Sequence, residues 1–402
     1  MAIISIMDNP LELPYYQSRI FTVQISGQEL QVISKPGLPH WDEVTPTIHL
    51  LAEAAVSKKD GLALLLGCGN GVLGVVLARQ GGAESLALKD TNWIALRVAK
   101  NTLAENGFHN VPVEPLHYPL PDNTYQTVIM NLPKGRKLAR RWLVESWSAL
   151  KPGGELYLAG ANPEGIQSVI QDAKNLFGNA VVLAYRKGCR VARSVKQSRS
   201  EDTLEPWITA ADMRRGSWIE FSTEACSEYF TLRSLPGLFS FDRVDEGTDL
   251  LLQTLSPEQV QDRRVLDFGC GYGLIGMAAA RLGARGVDLL DVDLSAVAAA
   301  QENCLRNKIN HARVLPSDVL DAVCDERYDL IISNPPFHAG KEVEYGMAHT
   351  FIAHSRYILI PTGRLVLVAN RFIRYDRLMM EVFGNVKSLS ETGKFHVLES
   401  IR

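Results

Sequence analysis

Nothing in this chain is spaced to bind a structural metal or to form a redox disulfide. Its six cysteines, Cys68, Cys189, Cys226, Cys270, Cys304 and Cys324, are scattered over 402 residues without a CxxC or a His/Cys cluster. That usage points to reduced thiols, no metal and a cytoplasmic protein. Long apolar runs are also missing. None approaches the roughly 18 residues of a membrane helix. The opening MAIISIMDNPLELPYY has no basic n-region and reaches Asp8 after a short apolar stretch, unlike a secretory signal. No membrane partner is therefore expected. Excess charge is absent too: the net charge is −3, so any nucleic-acid binding must come from local patches. What remains is ordinary globular composition, 46% hydrophobic and 22% charged, on a chain long enough for two domains of about 200 residues.

The chain is written twice. LLLGCGNGVLGVVLARQGG at 64–82 matches LDFGCGYGLIGMAAARLGA at 266–284, and TVIMNLPKG at 127–135 matches LIISNPPFH at 330–338. LKPGGELYLAGAN at 150–162 matches LIPTGRLVLVANR at 359–371, and FGNAVVLAYRKG at 177–188 matches FGNVKSLSETGK at 383–394. Four matches in one order imply a duplicated domain. The expected copies are 1–200 and 201–402, with the junction in the polar KQSRSEDTLEP at 196–206. The second copy alternates. Strands are expected at 264–268, 286–290, 312–315, 328–333 and 364–369. Helices are expected at 273–282, after 290 with Ser295 as its cap, near 347–358 and near 374–383. Two closing runs, 385–389 and 394–399, suggest a hairpin. Such alternation predicts α/β architecture with a doubly wound parallel sheet in each copy.

DFGCGYGLIG at 267–276 ends a strand and opens a helix, and two ligands suit it. Gly271, Gly273 and Gly276 form GxGxxG, with Asp291 about 20 residues on, as in dinucleotide sites. The same stretch is also DxGxGxG, from Asp267 through Gly269, Gly271 and Gly273. A carboxylate ahead of the glycines suits the ammonium of S-adenosylmethionine and is poorly placed beside a pyrophosphate. Asp291, at a strand end, can accept the ribose hydroxyls of either cofactor. Asp293 reads as helix-start charge. Asp318 is either an acceptor for an adenine amine or a plain loop aspartate.

At 331–340, IISNPPFHAG, two prolines stop a buried strand after Asn334. The amide of Asn334 and the carbonyl of Pro335 can both accept from an exocyclic NH2, while Phe337 stacks on the base. A strand-terminating turn with a core phenylalanine is the bland alternative. Taken together, the loop, Asp291 and NPPF resemble class I S-adenosylmethionine-dependent methyltransferases of exocyclic amines. YFTLRSLPGLFSFDRVDEGTDLLLQTL, ISNPPFH, VANRF and the FGNV to ETGKFHVL ending are similar to the ribosomal RNA guanine-N2 methyltransferases. That resemblance covers essentially the whole chain. It implies two tandem Rossmann-like methyltransferase domains, N2-methylguanine formation on 16S or 23S rRNA, and rRNA or an assembled subunit as partner. It also implies Phe239 as a possible contact near the site, although PGLFS at 236–240 reads as a turn, with Ser240 in it. The rivals are adenine-N6 or protein-glutamine methylation, an NAD-dependent oxidoreductase, and a non-catalytic RNA-binding protein.

The first copy reads as degenerate. It keeps Gly67, Gly69 and Gly71, but Leu65 stands for Asp267, Lys89 beside Asp90 for Asp291, and NLPK at 131–134 for NPPF. Its basic runs are KGRKLARR, with Lys134, Arg136, Lys137, Arg140 and Arg141, and RKGCRVARSVKQSR at 186–199. Both suit phosphate contacts and equally a solvated helix face plus a charged linker. With the resemblance, the expected role of this copy is RNA recognition. Trp93, Trp142 and Trp147 are expected in the core or on helix faces. His338 and His349 lack metal-like spacing.

Overall fold

The computed structural model describes residues 9–55, 61–197, 205–335 and 342–402, with only the backbone of 342–345. The chain forms two compact units. One is Ser18–Trp218; the other is Ile219–Arg402 together with the amino-terminal residues up to Gln17. The polar stretch at 196–206 is followed by residues that stay with the first unit as far as Trp218.

The first unit begins with a hairpin, β1 (Arg19–Ile25) and β2 (Gln28–Ser34), and then α1 (Pro46–Ala54). Its α/β body runs β3 (Ala63–Leu66), α2 (Val72–Gly81), β4 (Leu86–Asp90), α3 (Trp93–Glu105), β5 (Val113–Pro115) and β6 (Tyr125–Asn131). It closes with α4 (Arg136–Ala149), β7 (Leu150–Ala161), α5 (Ile166–Phe177), β8 (Val181–Arg186), β9 (Cys189–Val195) and the single turn α6 (Pro206–Thr209). The strands form one sheet in the order β5-β4-β3-β6-β7-β9-β8. The basic run at 186–199 is thus mostly the strand pair β8–β9 rather than a linker.

The second unit repeats this plan. A hairpin of β10 (Ile219–Ala225) and β11 (Glu228–Ser234) precedes α7 (Glu246–Leu252) and the short α8 (Pro257–Val260). The body follows as β12 (Arg264–Phe268), α9 (Leu274–Arg281), β13 (Gly286–Asp291), α10 (Leu294–Arg306), β14 (Ala312–Pro316) and β15 (Tyr328–Ser333). The last elements are α11 (Glu342–Ile358), β16 (Leu359–Asn370), α12 (Tyr375–Phe383), β17 (Lys387–Glu391) and β18 (Phe395–Ile401). The order β14-β13-β12-β15-β16-β18-β17 matches that of the first sheet. The closing hairpin is antiparallel, as expected.

Local chemistry explains these elements. The central strands β3 and β12 carry apolar side chains on both faces because helices cover both sides of a parallel sheet. Helix α9 opens at Gly273, whose φ of +89° only glycine adopts freely. Helix α10 is capped by Asp293, whose carboxylate accepts from the Ser295 N–H at 2.8 Å. Ser295, expected as the cap, lies inside the first turn, because Asp293 in extended backbone already takes the cap position. Both duplicated hairpins keep the same register, Arg19 opposite Ser34 and Ile219 opposite Ser234. In each sheet the strand order reverses between the first two body strands and the strand beyond them, β3/β6 and β12/β15. This switch point is where a crevice opens at the carboxyl ends of the strands.

Candidate active site

The site residues of the second unit gather at that crevice. Asp267 lies in β12, fully buried. Its Oδ2 accepts from the Gly276 N–H at 2.8 Å, inside α9. Its Oδ1 is buried with no hydrogen-bond partner among the described residues. Burial pushes this carboxyl up to about 7 against the pull of the Gly276 N–H. An orphaned buried acceptor of this kind asks for a donor from a ligand. Gly269, Gly271 and Gly273 all have positive φ, at 69°, 54° and 89°. A β-carbon at Gly271 would meet nothing within 4 Å, so the loop leaves its backbone open to close approach.

Asp291 ends β13 and closes the loop. Its Oδ2 accepts from Gly271 N–H at 2.9 Å and its Oδ1 from Asp293 N–H at 2.9 Å. Burial raises its pKa, and these N–H donors oppose the shift. One bond per oxygen leaves each with acceptor capacity for a hydroxyl. Asp318 follows β14, nearly buried, and is hydrogen-bonded by the Tyr15 hydroxyl. The two ligands left open by the glycine loop separate here. A buried carboxylate aimed past the glycines suits a cation and repels a pyrophosphate.

Asn334 follows β15. Its Nδ2 donates to Asp245 Oδ2 at 3.1 Å and to Thr248 Oγ1 at 2.8 Å. Asp245 caps α7, accepting from Gly247 N–H at 2.9 Å and Thr248 N–H at 3.3 Å. A carboxylate only accepts, so the amide nitrogen must face it and the amide oxygen must face away. Pro335 is buried behind it. Phe337 and His338 lie outside the described residues. Phe239 is 60% exposed, and Ser240 sits in the turn at φ +46°. Asp245 and Thr248 were missed from sequence, where DEGT at 245–248 stands only within the longer stretch that carries the resemblance.

The first unit keeps the loop and the aspartate that closes it, and loses the buried carboxylate and the amide clamp. Gly67, Gly69 and Gly71 again have positive φ. Leu65 pairs with Leu88 as Asp267 pairs with Leu289, so the leucine does replace the carboxylate. The assignment of Lys89 to the Asp291 position is corrected. Lys89 pairs with Leu66 as Leu290 pairs with Phe268. Asp90 is the counterpart: it accepts from Gly69 N–H at 3.1 Å and Asn92 N–H at 2.9 Å. One extra residue between β3 and β4, relative to β12 and β13, hid this. Thr45 and Ile48 stand at the start of α1 where α7 has Asp245 and Thr248, so the amide clamp is gone. The Trp142 ring lies 3.2 Å from where a β-carbon of Gly67 would be, and its Nε1 donates to the Tyr118 hydroxyl at 2.7 Å.

The basic residues of α4 divide. Arg141 is fully buried, paired with Glu145 at 3.1 Å and donating to Ser217 Oγ at 3.0 Å. The expectation that it contacts phosphate is overturned: its charge is spent inside the fold. Arg136 and Arg140 both grip the buried Asp172, at 2.8 and 2.9 Å. Lys137 pairs with Asp212 at 3.3 Å, and Lys134 is exposed. Trp142 is core, while Trp93 and Trp147 are half-buried. Among the described residues no three His, Cys, Asp or Glu group to hold a metal, and no helix is long and apolar enough to cross a membrane.

Comparison with known proteins agrees with this geometry. The methyltransferase small domain family matches residues 29–193 and again 229–399. Ribosomal RNA small subunit methyltransferase C of Psychromonas ingrahamii is 32% identical over 282 residues, spanning 70% of this chain and 77% of that protein. The protein of the same name from Chromohalobacter salexigens is 33% identical over 275 residues, spanning 67% and 76%. The solved T. thermophilus 16S rRNA N2 G1207 methyltransferase (RsmC), in complex with AdoMet and guanosine, is similar over 98% of this chain and 100% of that one, at 28% identity and a TM-score of 0.77. With both seven-stranded sheets matched, the chain belongs to the methyltransferase small domain family and carries that domain twice.

Proposed function

We propose that this protein methylates the exocyclic N2 amine of a guanine in 16S ribosomal RNA, using S-adenosylmethionine, in the unit formed mainly by 219–402. The observation that carries this is the direction of the Asn334 amide. Its NH2 is committed to Asp245 and Thr248, so its oxygen is left to accept from an amine. The similar RsmC was solved with AdoMet and guanosine, and the residues here fit both.

Asp267 Oδ1 is the acceptor for the cofactor's ammonium, the glycine loop gives close backbone approach, Asp291 takes the ribose hydroxyls, and Asp318 the adenine amine. When bound, S-adenosylmethionine supplies a methyl already activated on a sulfonium. The protein's part is positioning. Asn334 Oδ1 and the Pro335 carbonyl hold the two amine hydrogens, which turns the nitrogen lone pair toward the methyl. Phe337 is proposed to stack on the base. The nitrogen then releases one proton to solvent, so no buried base is required. The first unit, with the exposed Lys134 ahead of α4 and Lys137 within it, is proposed to recognise RNA. The expected setting is the cytoplasm, where ribosomal RNA is found.

The test is incubation with labelled S-adenosylmethionine and unmodified 30S subunits, 50S subunits and naked rRNAs, followed by digestion to nucleosides. Label in N2-methylguanosine from 16S rRNA is expected. Label in N6-methyladenosine, or in protein, would transfer the same amide clamp to a different amine and overturn the guanine assignment.

A further inference from the structure

Residues 9–17 precede the first unit in the chain yet belong to the second. They form two single turns, Pro10–Glu12 and Pro14–Tyr16. Each opens on a proline, whose missing N–H is no loss at that position. Tyr15, 5% exposed, packs in one core cluster with Phe268, Leu290, Val319 and Leu320. Phe268 and Leu290 are the chain neighbours of Asp267 and Asp291, so this cluster packs at the same strand ends on the sheet face opposite Asp267. The Tyr15 hydroxyl is hydrogen-bonded to Asp318. The Tyr16 hydroxyl accepts from the Leu320 N–H at 3.3 Å and lies 2.8 Å from His354 Nδ1. The imidazole tautomer decides which of the two donates. Burial pushes the imidazole down to about 4, which keeps it neutral at physiological pH.

The loop these tyrosines touch is held both from within and from outside. Val319, between Asp318 and Leu320, sits at φ +55°, where a β-branched residue is strained. Such a conformation persists only when its surroundings fix it. Within the loop, Ser317 Oγ donates to the Val319 carbonyl at 2.9 Å and Asp318 N–H to Asp321 Oδ1 at 2.9 Å; from outside, Tyr15 and Tyr16 bind the residues on either side of Val319. In the first unit the matching place is taken by residues 206–217: Ile208 packs with Leu116 and Leu120, and Arg215 donates to the Leu120 carbonyl. By strand register Ser317 corresponds to Leu116, so Asp318 and Val319 correspond to His117 and Tyr118. There Tyr118 bonds to Trp142 instead.

We propose that Tyr15 and Tyr16 are positioning residues that hold the 318–320 loop so that Asp318 reads the adenine amine of the cofactor. This rests on the adenine role given to Asp318 above. The test uses the full chain with Tyr15→Phe, Tyr16→Phe and Asp318→Ala, binding S-adenosylhomocysteine and its inosine counterpart, in which the amine is replaced by a carbonyl. Each tyrosine variant keeps the ring and its apolar burial. The wild type is expected to prefer the adenine compound, and each tyrosine variant to lose about tenfold of that preference. KM for S-adenosylmethionine should rise while kcat and KM for RNA stay near wild type. If Asp318→Ala keeps the full preference, the adenine role itself is wrong. If Asp318→Ala loses it and both tyrosine variants keep it, the positioning proposal alone is wrong. An equal loss of affinity for both nucleosides would make the strap purely structural, which also overturns the proposal.

Discussion

In the free protein the Asp267 carboxyl titrates at about 7 because it is buried, whereas an ammonium beside it requires the ionised form. Cofactor binding must therefore release a proton below that pH. The dissociation constant for S-adenosylmethionine is expected to fall as pH rises from 5 to 7, with a slope approaching one log unit per pH unit. It should level off beyond 7, until the cofactor's own amine begins to lose its proton. Titration calorimetry in buffers of different ionisation heat measures both. Asp267→Asn should remove the slope and weaken binding, and a wild-type slope in that variant would refute the assignment. The same shift acts on folding with the opposite tendency. A carboxyl whose pKa is raised from 3.8 to about 7 contributes stability at low pH that is lost as pH rises through that interval. At Asn334 the expectation is different in kind. Asn334→Ala should abolish methyl transfer while cofactor affinity stays near wild type. Thr248→Val, which removes one of the two acceptors for the amide, should lower kcat by about tenfold with KM for the cofactor unchanged. Single-turnover rates with saturating RNA check this, and unchanged rates in either variant would mean the amide does not hold the amine.

Helix α4 shows why element-scale charge cannot be read from composition. Five cations in eight residues look like a phosphate patch, yet the helix buries one and anchors two more on Asp172. The warning was in the sequence: Glu145 stands four residues after Arg141, and both flank the apolar WLV. Removing one partner of a fully buried ion pair leaves the other charge stranded. Arg141→Gln is expected to destabilise the protein by roughly 3–5 kcal/mol in urea unfolding, with RNA affinity of the folded fraction unchanged. Lys134→Gln with Lys137→Gln should do the reverse. Stability should hold, while the slope of log affinity against log salt should drop by about 1–2 if both cations meet phosphate. The same contrast governs what was legible at the site. Asp267, the glycines, Asp291 and Asn334 announce themselves because each sits within a few residues of a strand end or turn. Asp245 and Thr248 lie 89 and 86 residues before the amide they clamp, and helix starts are too common to mark them. Asp90 was obscured by a single-residue gap, which hydrogen bonds resolve and letters do not.

Across the whole molecule the duplication predicts one cofactor per chain. Asp90 and the glycines survive in the first unit, but Leu65, the Thr45/Ile48 pair and the Trp142 ring against Gly67 remove an ammonium acceptor, an amide clamp and open space. Calorimetric titration of the intact chain should give a stoichiometry near one, and a value near two would mean the first unit still binds. Cutting the chain near residue 200 is no substitute, since Gly216 and Ser217 bond the buried Glu145 and Arg141. The placement of residues 9–17 bears on how this protein is made. A ribosome emits Tyr16 early, but its partners Leu320 and His354 lie 304 and 338 residues further along. The whole of the first unit is synthesised in between and can fold as an uninterrupted stretch while the strap waits. The second unit closes only around a segment translated long before it. On the adenine role proposed for Asp318, a nascent chain completes that pocket only after His354 has been made, so a product truncated before it is expected to bind the cofactor poorly.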